Sequence, residues 1–482
     1  MKIYSGIVLA SVLSASLVCA ENLTQANVEK ANEVIEAAVE VFGGDDRLSD
    51  ISSIVVQHES VNVAVGQSHK AEPPWDRNPT AGITAVDLGN GRFVTKNSGS
   101  GSGFEFDNGT IIDGEASAQL DYRAGTFATI AEPDFDTASG PFMRVTPAML
   151  VRQVRDRAQN AYYLGETTVD GEAYEVVGFS MAVGPAISLY FEKDSHMLRR
   201  SERVLPGFGL VEYRFHDYEI ISGIPFNKKF ELYLNGDQNV VRTNLKTRVN
   251  VPLDDLMIAE SSLRELPAVV ADELARHDIA EGVYLIGGNG TYAMFVEMDD
   301  YVIAAGGAAG ISDRIELLRE VVADKPVKYG VLTHHHFDHV LGVSVYEEEG
   351  ATVVAAKAHE NVVREAADNG ELLNLETVND RMEIRDSSRR VQVIDIGPTA
   401  HTEHLLVTWL PEEGILFEAD HFSMPRAGSV GPAVTSTRTL AAALKENGIQ
   451  PRLMLSAHSP RPGTMQDLQE SLNKGVVMVS KE

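Results

Sequence analysis

The chain of 482 residues carries a single cysteine, Cys19, and it falls inside an apolar stretch near the N-terminus. One thiol cannot close an intrachain disulfide, and a thiolate-built metal site is excluded from the rest of the chain. Positive charge is also scarce. Lys and Arg number 41 against 70 Asp and Glu, a formal net charge of −29. The acids are spread along the chain rather than gathered in a tail, so the surface repels phosphate backbones and a nucleic-acid partner is disfavoured. Long apolar runs are missing too: Ile7 to Leu17 is too short to cross a bilayer, and no integral membrane span is expected in the mature chain. There is no internal repeat. With 44% hydrophobic and 23% charged residues the chain can bury a core, and its length allows two or three domains rather than disorder.

The same short run carries an address. Lys2 precedes it, and Val18, Cys19 and Ala20 supply the small residues a signal peptidase reads, so residues 1–20 are expected to be a signal peptide cleaved after Ala20. Ser16 and Val18 match a lipid-attachment site at Cys19 poorly. The expected destination is the periplasm or the exterior, with a mature chain free of cysteine.

Residues 334 to 339 read His-His-His-Phe-Asp-His, directly after the apolar run Val327, Tyr329, Val331, Leu332. His334 and His336 lie two apart, so in an extended stretch leaving a strand their imidazoles point the same way and can share one ion; Asp338 and His339 reach a second position beside it. Further ligand types follow downstream. His401 comes after the run Val391, Val393, Ile394, Ile396 and the breakers Gly397 and Pro398. Asp420 ends the run Ile415, Leu416, Phe417, and His458 ends Leu453, Met454, Leu455. Each candidate sits just past a strand-length segment, where alternating strand and helix folds place their chemistry. Helix-period segments around Ile315 to Val322 and Leu440 to Leu444 supply the crossovers.

The string Thr333 to His339, followed in order by His401, Asp420 and His458, resembles the metallo-β-lactamase superfamily over about residues 276 to 482. The resemblance implies an αββα sandwich with a two-metal site at one edge. His334, His336 and His401 would hold one metal, Asp338, His339 and His458 the second, and Asp420 would bridge them. Two positions depart from the family pattern: Leu341 stands where many members have the first of two glycines, and Val302 to Ala305 leads into Gly306 rather than an aspartate.

A sphere of imidazoles and carboxylates without thiolate suits Zn2+, two per chain, and tolerates iron or manganese. A water held between two such cations loses its proton near neutral pH, giving a hydroxide nucleophile, while the exposed metal face polarises the bond under attack. Asp338 is the expected catalytic residue, orienting that nucleophile and delivering a proton to the leaving group. The expected function is an exported binuclear hydrolase of an ester, lactone, thioester, amide or phosphoester bond in a small molecule. Asp420 stands where one large group of zinc β-lactamases has cysteine, which lowers antibiotic cleavage relative to the other bonds. The alternatives are a mono-iron oxidoreductase similar to the persulfide dioxygenases, which share the ligand string, and a lipid or ligand carrier with a non-catalytic metal site.

Other histidines lie nearby. His335 should point away from its neighbours' metal, as a structural or surface residue whose change to alanine matters little. His404 is read as a pocket residue or a strand start, and His359 and His421 as supporting or rim residues.

Residues 21 to 265 are of a different kind. One helical stripe, Ala31, Val34, Ile35, Ala38, Val39, Phe42, closes at Gly43 and Gly44. Alternating runs at 174–179, 187–191, 211–215 and 230–233 follow, divided by Asp170-Gly171, Ser222-Gly223 and Asn235-Gly236, which predicts an antiparallel meander. The Gly- and Ser-rich stretch Asn97 to Asn108 is expected to be an exposed loop. No cluster of ligand spacing is present in this half. It resembles the curved sheet-plus-helix modules of the LolA-like lipoprotein carriers, whose concave face holds acyl chains; the plainer expectation is a packing or substrate-gating domain. The fold class is therefore α+β: a mainly antiparallel β domain with one N-terminal helix, then a metallo-β-lactamase-like sandwich.

Overall fold

A computed structural model describes residues 23–257, 262–267, 272–322, 325–426 and 428–476. The expected signal peptide lies outside them. No described helix is long and apolar enough to cross a membrane.

The first part of the chain forms one open 14-stranded sheet of two sequential runs, joined in its middle by pairing of Ser53–Val63 with Asp237–Val249. Its pairs are antiparallel except at one edge, where Arg264–Leu266 runs parallel to Thr126–Thr129. The turn dipeptides do what their chemistry predicts. Asp170-Gly171, Ser222-Gly223 and Asn235-Gly236 all have positive φ at both residues, the twist-matched geometry of tight hairpins. Leu23–Val41 is a helix whose Ala31, Val34, Ile35 and Ala38 pack against Phe179, Phe191, Phe215, Phe226 and Phe230 of the sheet.

Two expectations fail in this half. Beyond the single N-terminal helix there are the short helix Asp45–Ser49 and two longer ones, Phe135–Arg144 and Pro147–Asp156, which pack into the same core. The sequence hides the longer pair: Gly140 and Pro141 read as breakers, while Asp134 caps the first of them through the amides of Asp136 and Thr137 and Pro147 opens the second, where its missing N–H costs nothing. The stretch Asn97 to Asn108 is not a loop but most of a hairpin, Arg92–Gly101 with Phe104–Ile112. A Cβ at Gly99 or Gly101 would lie 2.8 Å from Thr80 Cγ2 or 2.3 Å from Asn78 Cγ, so small residues here allow strands to pack closely.

Between Leu266 and Ala275 the chain passes to a second architecture of a seven-stranded and a five-stranded sheet. Their facing sides share one core, with Leu285, Met294, Ile303 and Val331 from the first sheet against Val393, Leu406, Ile415, Phe417 and Leu455 from the second. The helix Ile311–Arg319 covers the outer side of the seven-stranded sheet, and Thr435–Glu446 with Met465–Asn473 covers the outer side of the five-stranded one. The result is a four-layer sandwich with helices outside and sheets inside. Val327–Val331 runs parallel to Val302–Ala305, and Ile415–Glu418 runs parallel to Leu453–Ser456, so these strands end at one edge, which fixes where their following loops meet.

Candidate metal centre

The loops at that edge bring all seven sequence candidates together. His334, His336, His401 and Asp420 form one cluster and Asp338, His339 and His458 another, each with potential ligand atoms within 4.8 Å of one another. Asp420 joins the two. Its Oδ2 lies 2.9 Å from His339 Nε2, 3.1 Å from His401 Nε2 and 3.3 Å from His334 Nε2, and its Oδ1 lies 3.0 Å from His458 Nε2. The backbone there is left-handed, with φ +62° at Asp420, a conformation that aspartate tolerates better than most residues. Glu418 anchors the turn by accepting the amides of His421 at 3.1 Å and Phe422 at 3.4 Å. Complete burial raises its pKa to about 8, so it holds the turn largely as the neutral acid at pH 7.

The donor set fits a cation. Burial, reinforced by neighbouring imidazoles, holds His334 and His336 well below the ordinary histidine pKa. Burial opposes ionisation of Asp420, but the surrounding histidines hold its carboxyl well below the usual carboxylate range. Neutral imidazoles beside an ionised carboxylate are the protonation state a divalent ion requires. Burial works against a charge on His458, yet Asp420 raises its pKa to about 9, so without a cation the proton sits there. His336 Nδ1 is buried with no hydrogen-bond partner, as expected of a nitrogen reserved for a ligand bond. His339 Nδ1 also lacks one, although its Nε2 is the atom turned to Asp420.

The other histidines prove more interior than the sequence implied. His335 is 1% exposed, donates through Nε2 to Ser68 O at 3.0 Å and lies 3.3 Å from Thr402 Oγ1 through Nδ1. It is a buried bridge between the two parts of the chain, structural rather than at the surface. His359 is buried against it, with ring centroids 4.6 Å apart, so neither it nor His421 is a rim residue. His421 Nε2 meets Thr399 Oγ1 at 2.8 Å, and that hydroxyl also receives the His401 amide. His404 pairs with Asp395 at 2.7 Å.

Sequence reasoning missed the first sheet's share in the site. Gln67 Nε2 donates to Asp338 Oδ1 at 2.6 Å, Ser68 O accepts from His336 Nε2 at 3.0 Å, and Ser102 O accepts from His401 Nδ1 at 2.6 Å. Phe104 stacks edge-on against His401 at 5.3 Å. On the open side, the Asp338 and His458 side chains keep 36% and 31% of their exposure. His458 there lines a cavity of about 1030 Å³ between the edge of the first sheet and the segments 423–426 and 429–432, with Arg264, Arg426 and Lys474 among its walls.

These features define a metallo-β-lactamase type of domain. Residues 287–474 match the model of the metallo-β-lactamase superfamily. Similar solved structures include a metallo-β-lactamase from Pontibacter korlensis, 18% identical, covering 42% of this chain and 97% of its own with a TM-score of 0.35. Another is FIM-1 from Pseudomonas aeruginosa in its mono-zinc form, 20% identical, covering 42% and 95% with a TM-score of 0.32. No curated protein matches the chain.

Proposed function

We propose that the protein is an exported binuclear zinc hydrolase acting on an ester, lactone, thioester, amide or phosphoester of a small molecule. The observation that carries this is Asp420, whose two carboxylate oxygens face both clusters at once. Two divalent ions bound there supply activation of water at neutral pH and polarisation of the bond under attack. His334, His336 and His401 would hold one, Asp338, His339 and His458 the other. Asp338 has one oxygen fixed by Gln67, while Oδ2 lies 3.5 Å from His339 Nε2 and 3.9 Å from His458 Nε2 beside the opening, where it can take a proton from water and return it to a leaving group. The cavity beside His458 admits the substrate. For the first sheet we favour a packing and gating role over LolA-like acyl carriage, because buried side chains of its helices fill its core against the strands.

The test is metal analysis of the gently purified protein, followed by a panel of lactones, thioesters, β-lactams and phosphodiesters. Two equivalents of zinc and hydrolysis that chelator abolishes are expected. A consistent single equivalent of iron with no hydrolysis would replace this reading with the dioxygenase one.

A further inference from the structure

We infer that the first sheet is the outer half of the metal centre: Ser68 and Ser102 set the tautomers of His336 and His401, and Gln67 orients Asp338. The inference rests on the metal reading above. It assigns positioning roles to residues 268 to 299 places upstream of the groups they act on, outside the matched family region.

An imidazole that binds a cation through one nitrogen must place the other N–H somewhere, and the acceptor that takes it decides both tautomer and ring plane. For His336 the acceptor is Ser68 O, which leaves Nδ1 as the free donor atom. For His401 it is Ser102 O, leaving Nε2 at 3.1 Å from both His334 Nε2 and Asp420 Oδ2. His458 by contrast uses Gly290 O of its own domain.

The donated atoms are rigidly held. Ser68 is fully buried, its hydroxyl donates to Ala64 O and accepts the Asp76 amide, both at 2.8 Å, and Asp76 in turn accepts the His69 amide at 2.7 Å. Ser102 Oγ donates to Gln67 O at 2.8 Å, tying the hairpin tip to the same loop. The unit is docked by backbone bonds from Phe337 to Gly66 O, from Glu403 to His69 O and from Ser436 to Gly103 O. Gly103 has φ +80°, and a Cβ there would lie 3.0 Å from Ala400 C, so only glycine brings the tip this close to His401.

The experiment uses the full mature chain loaded with zinc, and separately with Co2+. Stepwise metal dissociation constants are measured by competition with a chromophoric chelator, and cobalt absorption reports the geometry of each site. Gln67→Ala should weaken one equivalent by ~10- to 100-fold and leave the other within about twofold, the usual size of an outer-shell loss. Gly103→Val, which pushes the tip off Ala400, should weaken the other equivalent. Glu105→Ala is the control, since Glu105 joins the halves through Thr435 and touches no candidate ligand. It should leave both constants within about twofold. The inference is overturned if Gln67→Ala holds both metals as wild type does, or if Glu105→Ala weakens them equally, since mere docking would then explain the contacts. Wild-type protein that takes up no metal would instead overturn the reading beneath it.

Discussion

Asp338→Asn and His335→Ala change neighbours in one motif and should fail in opposite ways. Asparagine keeps the size of Asp338 and can still accept from Gln67 through Oδ1, but it turns an uncharged amide toward His339 and His458, where Oδ2 now lies. The second cluster loses its anionic donor and the proton shuttle together. Loss of general acid–base assistance alone lowers turnover by ~10²-fold or more, about 2.7 kcal/mol of barrier. His335→Ala leaves every candidate ligand in place. It empties a fully buried site and removes one of the two imidazole N–H groups that Ser68 O accepts, a loss of about 2–4 kcal/mol of stability. Kinetics on the best substrate, zinc content and thermal melting separate the two: the first variant should melt near wild type but turn over slowly with depleted zinc, the second should melt early with zinc retained. An Asp338→Asn protein that holds two metals and keeps near wild-type rate would refute the role assigned to this carboxylate.

Two further outcomes test the rest of the fold. Burial, with Arg242 nearby, pushes the pKa of His58 down to about 3 from an ordinary 6.5, so between those values the unfolded chain binds a proton that the native one refuses and stability falls with acidification. At pH 5 this costs about 2 kcal/mol, and His58→Leu should regain that much relative to wild type in urea unfolding at pH 5 compared with pH 8; an unchanged difference would show the imidazole is not the source. Proteolytic cleavage between 250 and 275 should give two fragments that still co-elute on size exclusion, because the backbone bonds at Gly66, His69 and Gly103 join them; fragments that separate would contradict that interface.

The candidate ligand set was legible because its spacing is local. His334 and His336 share a face by strand period, and His401, Asp420 and His458 each follow an apolar run that becomes a strand. The hairpins were legible from turn dipeptides for the same reason. What could not be read was anything carried by a backbone carbonyl: Ser68 O and Ser102 O act through atoms that every residue possesses, so no side-chain pattern marks them. Gln67 is a lone amide with no partner in sequence. The Asn97 to Asn108 stretch misled because glycine and serine lower strand propensity, and the tertiary contact that demands their small size lies on another strand.

The same contacts tie metal affinity to the docking of the first sheet. If Gln67, Ser68 and Ser102 tighten metal binding, thermodynamic reciprocity requires that bound metal tighten the docking by the same factor. A 10- to 100-fold effect corresponds to about 1.4–2.7 kcal/mol, comparable to one or two good hydrogen bonds to charged groups. That is enough to bias an interface and too little to make either part depend on the other for its fold, since the helix-packed sheet core and the shared core of the sandwich are separate clusters of buried side chains. The two parts are therefore independently cored bodies joined both by the hydrogen bonds at the candidate metal centre and by the backbone bonds at Gly66, His69 and Gly103, so that a change at residue 401 would be felt at residue 102.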